Sequence, residues 1–216
     1  MKRYFGLRSG YLIKIGKVES PKSMVNYPAV KYFQTQIAAV HYVFGCSYAT
    51  HSEKRLIRRN HLDLVIYTDG GQRNANDGAW AYSINDQHRQ LRFASRYLNT
   101  KNNNFCELEA VIQALRWLAT AGQTNLRIRL DTDSVAVKGI ARKVRHGKSI
   151  QVIARNTDWQ IKQLRAFKQL LHRFKHLRIA KIRGHSGVLG NQFVDQLCSR
   201  SMCTRYPNGY DPFQPK

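Results

Sequence analysis

A chain of 216 residues with only 13 Asp and Glu has few carboxylates to account for, so their positions are informative. Asp69 stands in Thr68-Asp69-Gly70-Gly71, Glu107 in Phe105-Cys106-Glu107-Leu108, Asp133 in Asp131-Thr132-Asp133-Ser134, and Asp195 in Asn191-Gln192-Phe193-Val194-Asp195. His185 lies in Arg183-Gly184-His185-Ser186-Gly187. Most of these have an ordinary structural reading. Asp before Gly-Gly suits a turn, Asp131 or Asp133 suits a helix N-cap, and an acid early in a helix suits its dipole. Glu107 is the exception. Positions 107, 111, 114 and 118 are neighbours along a helix, so Glu107 joins the apolar stripe of Val111 and Leu118 and faces the interior. An unpaired charge is costly there, and metal coordination resolves that cost. Glu109 points elsewhere, as a solvated helix residue.

The elements that must position these groups are legible from periodicity. Alternation from Leu62 through Leu64, Ile66 and Thr68 predicts a strand meeting a turn at Asp69-Gly70-Gly71. Ala79–Ile84 and Leu91–Tyr97 predict two more strands, with Asn85 and Asp86 turning between them; the short connections favour an antiparallel meander. Leu108, Val111, Ile112, Leu115 and Leu118 make one helical stripe that stops at Gly122. Leu126, Ile128 and Leu130 predict a strand parallel to the first, a helix starts near Ser134, and Ile161, Leu164, Phe167, Leu171 and Phe174 mark another helix. Arg178–Ile182 predicts a last strand, with a final helix after Gly190. The order βββ–α–β–α–α–β–α describes an α/β domain over residues 57–202, a mixed five-stranded sheet of three antiparallel strands and two parallel additions, flanked by helices. Asp69 and Asp133 then emerge side by side beyond the carboxyl ends of parallel strands, the usual place for a site in an open α/β sheet.

Charge bounds the partner. Lys and Arg number 36, for a formal net charge of +23, which suits a polyanion, and phosphate backbones are the usual ones. An acidic membrane surface or acidic protein satisfies the same charge. Cys46, Cys106, Cys198 and Cys203 have neither zinc-site spacing nor the density of a disulfide framework, so reduced thiols in an intracellular, cytoplasmic setting are expected. No apolar run is long enough to cross a membrane. Residues 1–56 form a basic, aromatic extension in which Pro28, Val30, Phe33, Ile37 and Val40 suit one amphipathic helix; its acid-poor start also resembles an organellar targeting segment, and Met24 is an alternative start. Residues 203–216, with Pro207, Pro212 and Pro215, read as a tail.

The four motifs, in this order and on these elements, resemble those of type I ribonuclease H, a resemblance that covers about two-thirds of the chain. It implies a ribonuclease H catalytic domain over residues 57–202 that hydrolyses the RNA strand of an RNA–DNA hybrid, leaving 5′-phosphate and 3′-hydroxyl ends. It makes Asp69, Glu107, Asp133 and Asp195 the metal-binding carboxylates, with Asp69 bridging, and His185 the loop histidine that assists proton transfer or product release. Two ions about 4 Å apart can activate a water and stabilise the leaving oxygen. Hard oxygen ligands favour two Mg²⁺, or Mn²⁺, over zinc. Hybrid contacts are expected from Asn74, Asn76, Asn103, Asn104 and Ser134 towards the RNA, and from Thr100, Asn102 and Asn156 towards a DNA phosphate. Basic residues of the segment 139–156, namely Arg142, Lys143, Arg145, His146, Lys148 and Arg155, correspond to a hybrid-binding protrusion in the family.

The chain departs from the family at Val135, where many relatives carry a polar group, and in that protrusion, which is shorter and lacks the usual tryptophans. The N-terminal extension occupies the place of a hybrid-binding module found in some relatives, and nucleic-acid contact is expected of it. A monomer is expected. The alternatives are a retroelement-derived ribonuclease H domain and a non-catalytic RNA- or hybrid-binding protein.

Overall fold

A computed structural model of the chain describes residues 4–9, 12–17, 30–33, 51–74, 76–87, 90–100, 102–155, 160–184 and 188–204. The chain forms two compact units, Met1–Tyr48 and Ala49–Lys216. In the first, β1 (Tyr4–Ser9), β2 (Leu12–Lys17) and β3 (Val30–Phe33) make an antiparallel sheet in the order β2-β1-β3. The helix expected after Pro28 is therefore absent over 30–33. Val30, Tyr32 and Phe33 are strand-favouring types, and their backbone pairs with Tyr4–Leu7. The remainder of that predicted helix, Ile37 and Val40 included, lies outside the described residues.

The second unit opens with a helix not anticipated from the sequence, α1 (His51–Arg59). It precedes the sheet strands β4 (Leu64–Asn74), β5 (Asp77–Asn85), β6 (Gln90–Asn99), β7 (Arg127–Thr132) and β8 (His176–Lys181). Their order is β6-β5-β4-β7-β8, antiparallel across β6, β5 and β4 and parallel across β4, β7 and β8. This is the mixed sheet expected. The helices are α2 (Asn103–Thr120), α3 (Val135–Arg145), α4 (Ile150–Arg155), α5 (Ile161–Arg173) and α6 (Leu189–Thr204). Helix α4 is an addition to the expected order: Ile150 and Ile153 are buried, and the Ser149 hydroxyl accepts from the Val152 amide, so a short turn of helix buries its apolar pair. Gly122, at φ 72°, ends α2 as predicted.

Two adjacent glycines of β4 show how the layers are built. Successive strand residues point to opposite faces. A Cβ on Gly70 would lie 2.1 Å from the Glu107 nitrogen of α2, and a Cβ on Gly71 would lie 3.1 Å from the Met202 side chain of α6. Helix α2 thus covers one face and α6 the other. On the α2 face, Ile66, Ile84, Ile128 and Leu130 pack with Leu108, Val111, Ile112, Leu115, Leu164 and Phe167. On the α6 face, Phe93 meets Phe193 edge-on at 5.3 Å between ring centres. Among the described residues, no helix is long and apolar enough to cross a membrane.

Candidate active site

Strand β4 does not end where the alternation suggests. It runs through Asp69 and Gly70-Gly71 to Asn74, held by β5, with Asp69 opposite Ala81. The turn reading of Asp69 is therefore wrong: Gly70 stands in a strand because α2 leaves no room for a side chain. Parallel pairing with β7 does stop, at Thr68 opposite Thr132. Asp69 lies one residue past that last pair on β4 and Asp133 one residue past the end of β7, at one edge of the sheet as expected.

Glu107 is the fifth residue of α2 and is 6% exposed, with Asp69 at 9%. One carboxylate oxygen from each of Asp69, Glu107 and Asp133 lies within 4.8 Å of the others. Asp195 is not part of this tight group, but its charge acts on Asp69. It is the seventh residue of α6, past the first turn where a dipole partner belongs. Nor does Asp133 cap a helix: Ser134 does, its hydroxyl accepting from the Val137 amide at 3.3 Å.

The electrostatics of the cluster suit a cation. Burial pushes the Asp69 carboxyl up to about 7, and Asp133 and Asp195 push it the same way; the Gly70 amide and the Cys198 thiol oppose. Burial pushes Glu107 up to about 9, with the Asp69 and Asp133 charges adding to it. Oε2 of Glu107 is buried with no hydrogen-bond partner. An orphaned oxygen beside two further carboxylates, with only oxygen donors, fits a hard divalent cation.

Several supporting residues were not found from the sequence. Gln163 of α5, 5% exposed, donates through Nε2 to the Phe105 carbonyl and to Glu109 Oε2, both at 3.0 Å, and so ties down the first turns of α2 that carry Glu107. The Cys198 thiol donates to the Ala79 carbonyl at 3.2 Å and adjoins Asp69. Gly184 lies against Asp133, where a Cβ would meet Oδ2 at 2.8 Å, and Gly190 admits the Tyr67 ring. None of these carries a charge or periodic signal; only packing reveals them. Asp131 is committed elsewhere, in a 2.7 Å ion pair with Arg129.

The predicted hybrid contacts divide. Asn103 and Asn104 are exposed at the start of α2, whereas Asn102 caps that helix, its Oδ1 accepting from the Phe105 amide at 3.0 Å. The Thr100 hydroxyl accepts from the Asn102 amide. Arg142, Lys143, Arg145 and Lys148 are exposed at and after the end of α3, with Arg145 also donating to the Leu177 carbonyl. His185, Asn156 and the side chain of Asn74 lie outside the described residues.

This architecture and acid cluster coincide with a known family. Residues 61–202 match the RNase H family profile. The chain belongs to the RNase H family. It is 32% identical over 148 residues to the ribonuclease H of Orientia tsutsugamushi, covering 65% of this chain and 82% of that protein. RNase H1 of the archaeon Halobacterium salinarum has a similar fold, with a TM-score of 0.51 at 18% identity over 65% of this chain and 98% of that one. So does LC11-RNase H1, isolated from compost and solved in complex with an RNA/DNA hybrid, with a TM-score of 0.50 at 23% identity over 66% and 98%. The RNase H motifs read from the sequence all fall within the matched span.

Proposed function

We propose that the chain hydrolyses the RNA strand of an RNA–DNA hybrid at a site where Asp69, Glu107, Asp133 and Asp195 hold two divalent metal ions. The observation that carries this reading is the convergence of three carboxylates with an orphaned Glu107 oxygen, inside a matched RNase H domain. Such ions, Mg²⁺ or Mn²⁺, supply charge stabilisation at the scissile phosphate and acidify a water. The protein's own part is positional. Asp69 presents its oxygens from β4 and Asp133 from just past the end of the neighbouring β7, and α2 brings Glu107 in over Gly70. Gln163 holds the first turns of α2 in place. His185, next in sequence to the Gly184 that lies against Asp133, serves as the proton carrier at its imidazole.

Asn103, Asn104 and the Ser134 hydroxyl contact RNA 2′-hydroxyls. Arg142, Lys143, Arg145 and Lys148 grip phosphates, with Thr100, Asn102, Asn156 and Asn74 completing the hybrid contacts. Residues 1–56, with Lys and Arg far outnumbering acids, add affinity for nucleic acid. The chain works as a monomer in the cytoplasm; the free thiols of Cys106, Cys198 and Cys203 suit that reducing setting.

The test is cleavage by the full chain of three matched 20-base-pair substrates, RNA–DNA hybrid, duplex RNA and duplex DNA, with Mg²⁺. Cutting of the hybrid's RNA strand alone, leaving 5′-phosphates, is expected; equal cutting of duplex DNA overturns the proposal.

A further inference from the structure

Helices α2 and α5 run side by side in the same direction. Gln163 meets Phe105 and Glu109 at one end, and Arg173 approaches the Ala119 carbonyl, 3.5 Å away, at the other. At that second end is a concave groove of about 730 Å³, walled by Ala166 and Leu170 and bearing Arg116, Lys168, His172 and Arg173. Arg116 is nine residues beyond Glu107 on α2, about 14 Å along the axis at 1.5 Å per residue. The groove is thus distinct from the carboxylate cluster.

Its charge is unopposed. No carboxylate lines it, and neither Arg116 nor Lys168 has an ion-pair partner among the described residues. Between Ser134 and Val194 the only acid is Asp158, against fourteen Lys and Arg. Cations gathered in a concave, low-dielectric surface focus a positive field and draw anions to it. A protein partner usually presents an apolar, aromatic centre to bury. No Phe, Tyr or Trp lines the groove: its apolar walls are Ala166, Leu170 and the stems of Arg116, Lys168 and Arg173, whose guanidinium and ammonium ends suit phosphate oxygens. Lys168 and His172 are one helical turn apart, about 6 Å along the axis, so they can meet successive groups of a strand rather than one small anion.

We propose that the α2–α5 groove binds a nucleic-acid phosphate backbone, as a second contact separate from the carboxylate site and from the basic stretch Arg142–Lys148. The proposal does not depend on the hydrolytic reading. The test uses the full chain without divalent metal, titrated with a fluorescein-labelled 30-base-pair RNA–DNA hybrid at several salt concentrations. Arg116→Gln with Lys168→Gln, both outside the apolar core, removes two phosphate contacts. The expected result is affinity weakened about tenfold near 0.1 M salt and a salt slope shallower by about 2. Amide chemical shifts of Arg116 and His172 should move when a short oligonucleotide is added. An unchanged slope and affinity in the double variant overturns the proposal. So does movement of those amides by polyglutamate at a lower concentration than by the oligonucleotide, which assigns the groove to an acidic protein.

Discussion

The carboxylate end of the second unit and its basic helices are built by opposite physical means. The acids are set into the core. Glu107 and Asp69 are buried, Gly70 lets α2 approach to contact, and Gly184 lies against Asp133. The cations are set outside it: Arg142, Lys143 and Lys148 are exposed side chains, and α3 buries only Val137, Ile140, Ala141 and Val144. On the proposed function, the first region acts by position, so a single atom matters. On the same proposal, the second acts by summed charge, so each residue contributes a small and replaceable share.

The sharpest way to break this contrast is to neutralise one acid without changing its shape. Asp69→Asn should lower hybrid cleavage by about 10³-fold, about 4 kcal/mol at 1.4 kcal/mol per tenfold, while hybrid affinity stays within about threefold. A parallel loss of binding would mean that the acids grip rather than react. Gly70→Ala probes the packing behind them. Its Cβ would fall 2.1 Å from the Glu107 nitrogen, so α2 must shift, with a stability loss of about 1–3 kcal/mol in urea unfolding and a fall in turnover. Wild-type stability in that variant contradicts the close approach of α2.

Next is Gln163→Met, which keeps the volume but removes the two bonds to α2. Divalent-metal affinity should weaken about tenfold, in the range for a residue that orients ligands, with rescue by raised metal concentration; an unchanged metal titration removes Gln163 from the positioning role. The smallest effect belongs to the basic surface. Lys143→Gln should weaken hybrid binding less than threefold and reduce the salt slope by about 1, with cleavage at saturating hybrid unaltered. A large loss from this one residue would mean that the cations, too, act by position.

Much of this was legible in the sequence. Strand and helix types followed from periods of two and 3.6, and the helical phase of Glu107 predicted its burial, because an amphipathic helix on a sheet has a single core face. The glycines misled. Thr68-Asp69-Gly70-Gly71 reads as a turn, since the two uses of glycine, a bend and a close approach, look alike until the helix above is placed. The amide of Gln163 and the thiol of Cys198 carry no pattern, and their partners are far along the chain. Val30, Phe33, Ile37 and Val40 fall at helical spacing after Pro28, yet the pairing of Val30–Phe33 with Tyr4–Leu7 decides for strand there.

The central claim is that the buried acids form a cation site, and the metal-free chain tests it directly through its stability against pH. With Asp69 raised to about 7 and Glu107 to about 9, both above their unfolded values, protonation favours the fold, and that contribution is lost as pH rises through the folded values. Thermal unfolding is measured from pH 5 to 9.5 with chelator and with saturating Mg²⁺, alongside hybrid cleavage. The account predicts a melting temperature that falls with pH in chelator, stabilisation by Mg²⁺ that grows from pH 6 to 9, and cleavage only with the metal. A metal-free melting temperature that is flat across this range, with no Mg²⁺ stabilisation and with cleavage persisting in chelator, would contradict it.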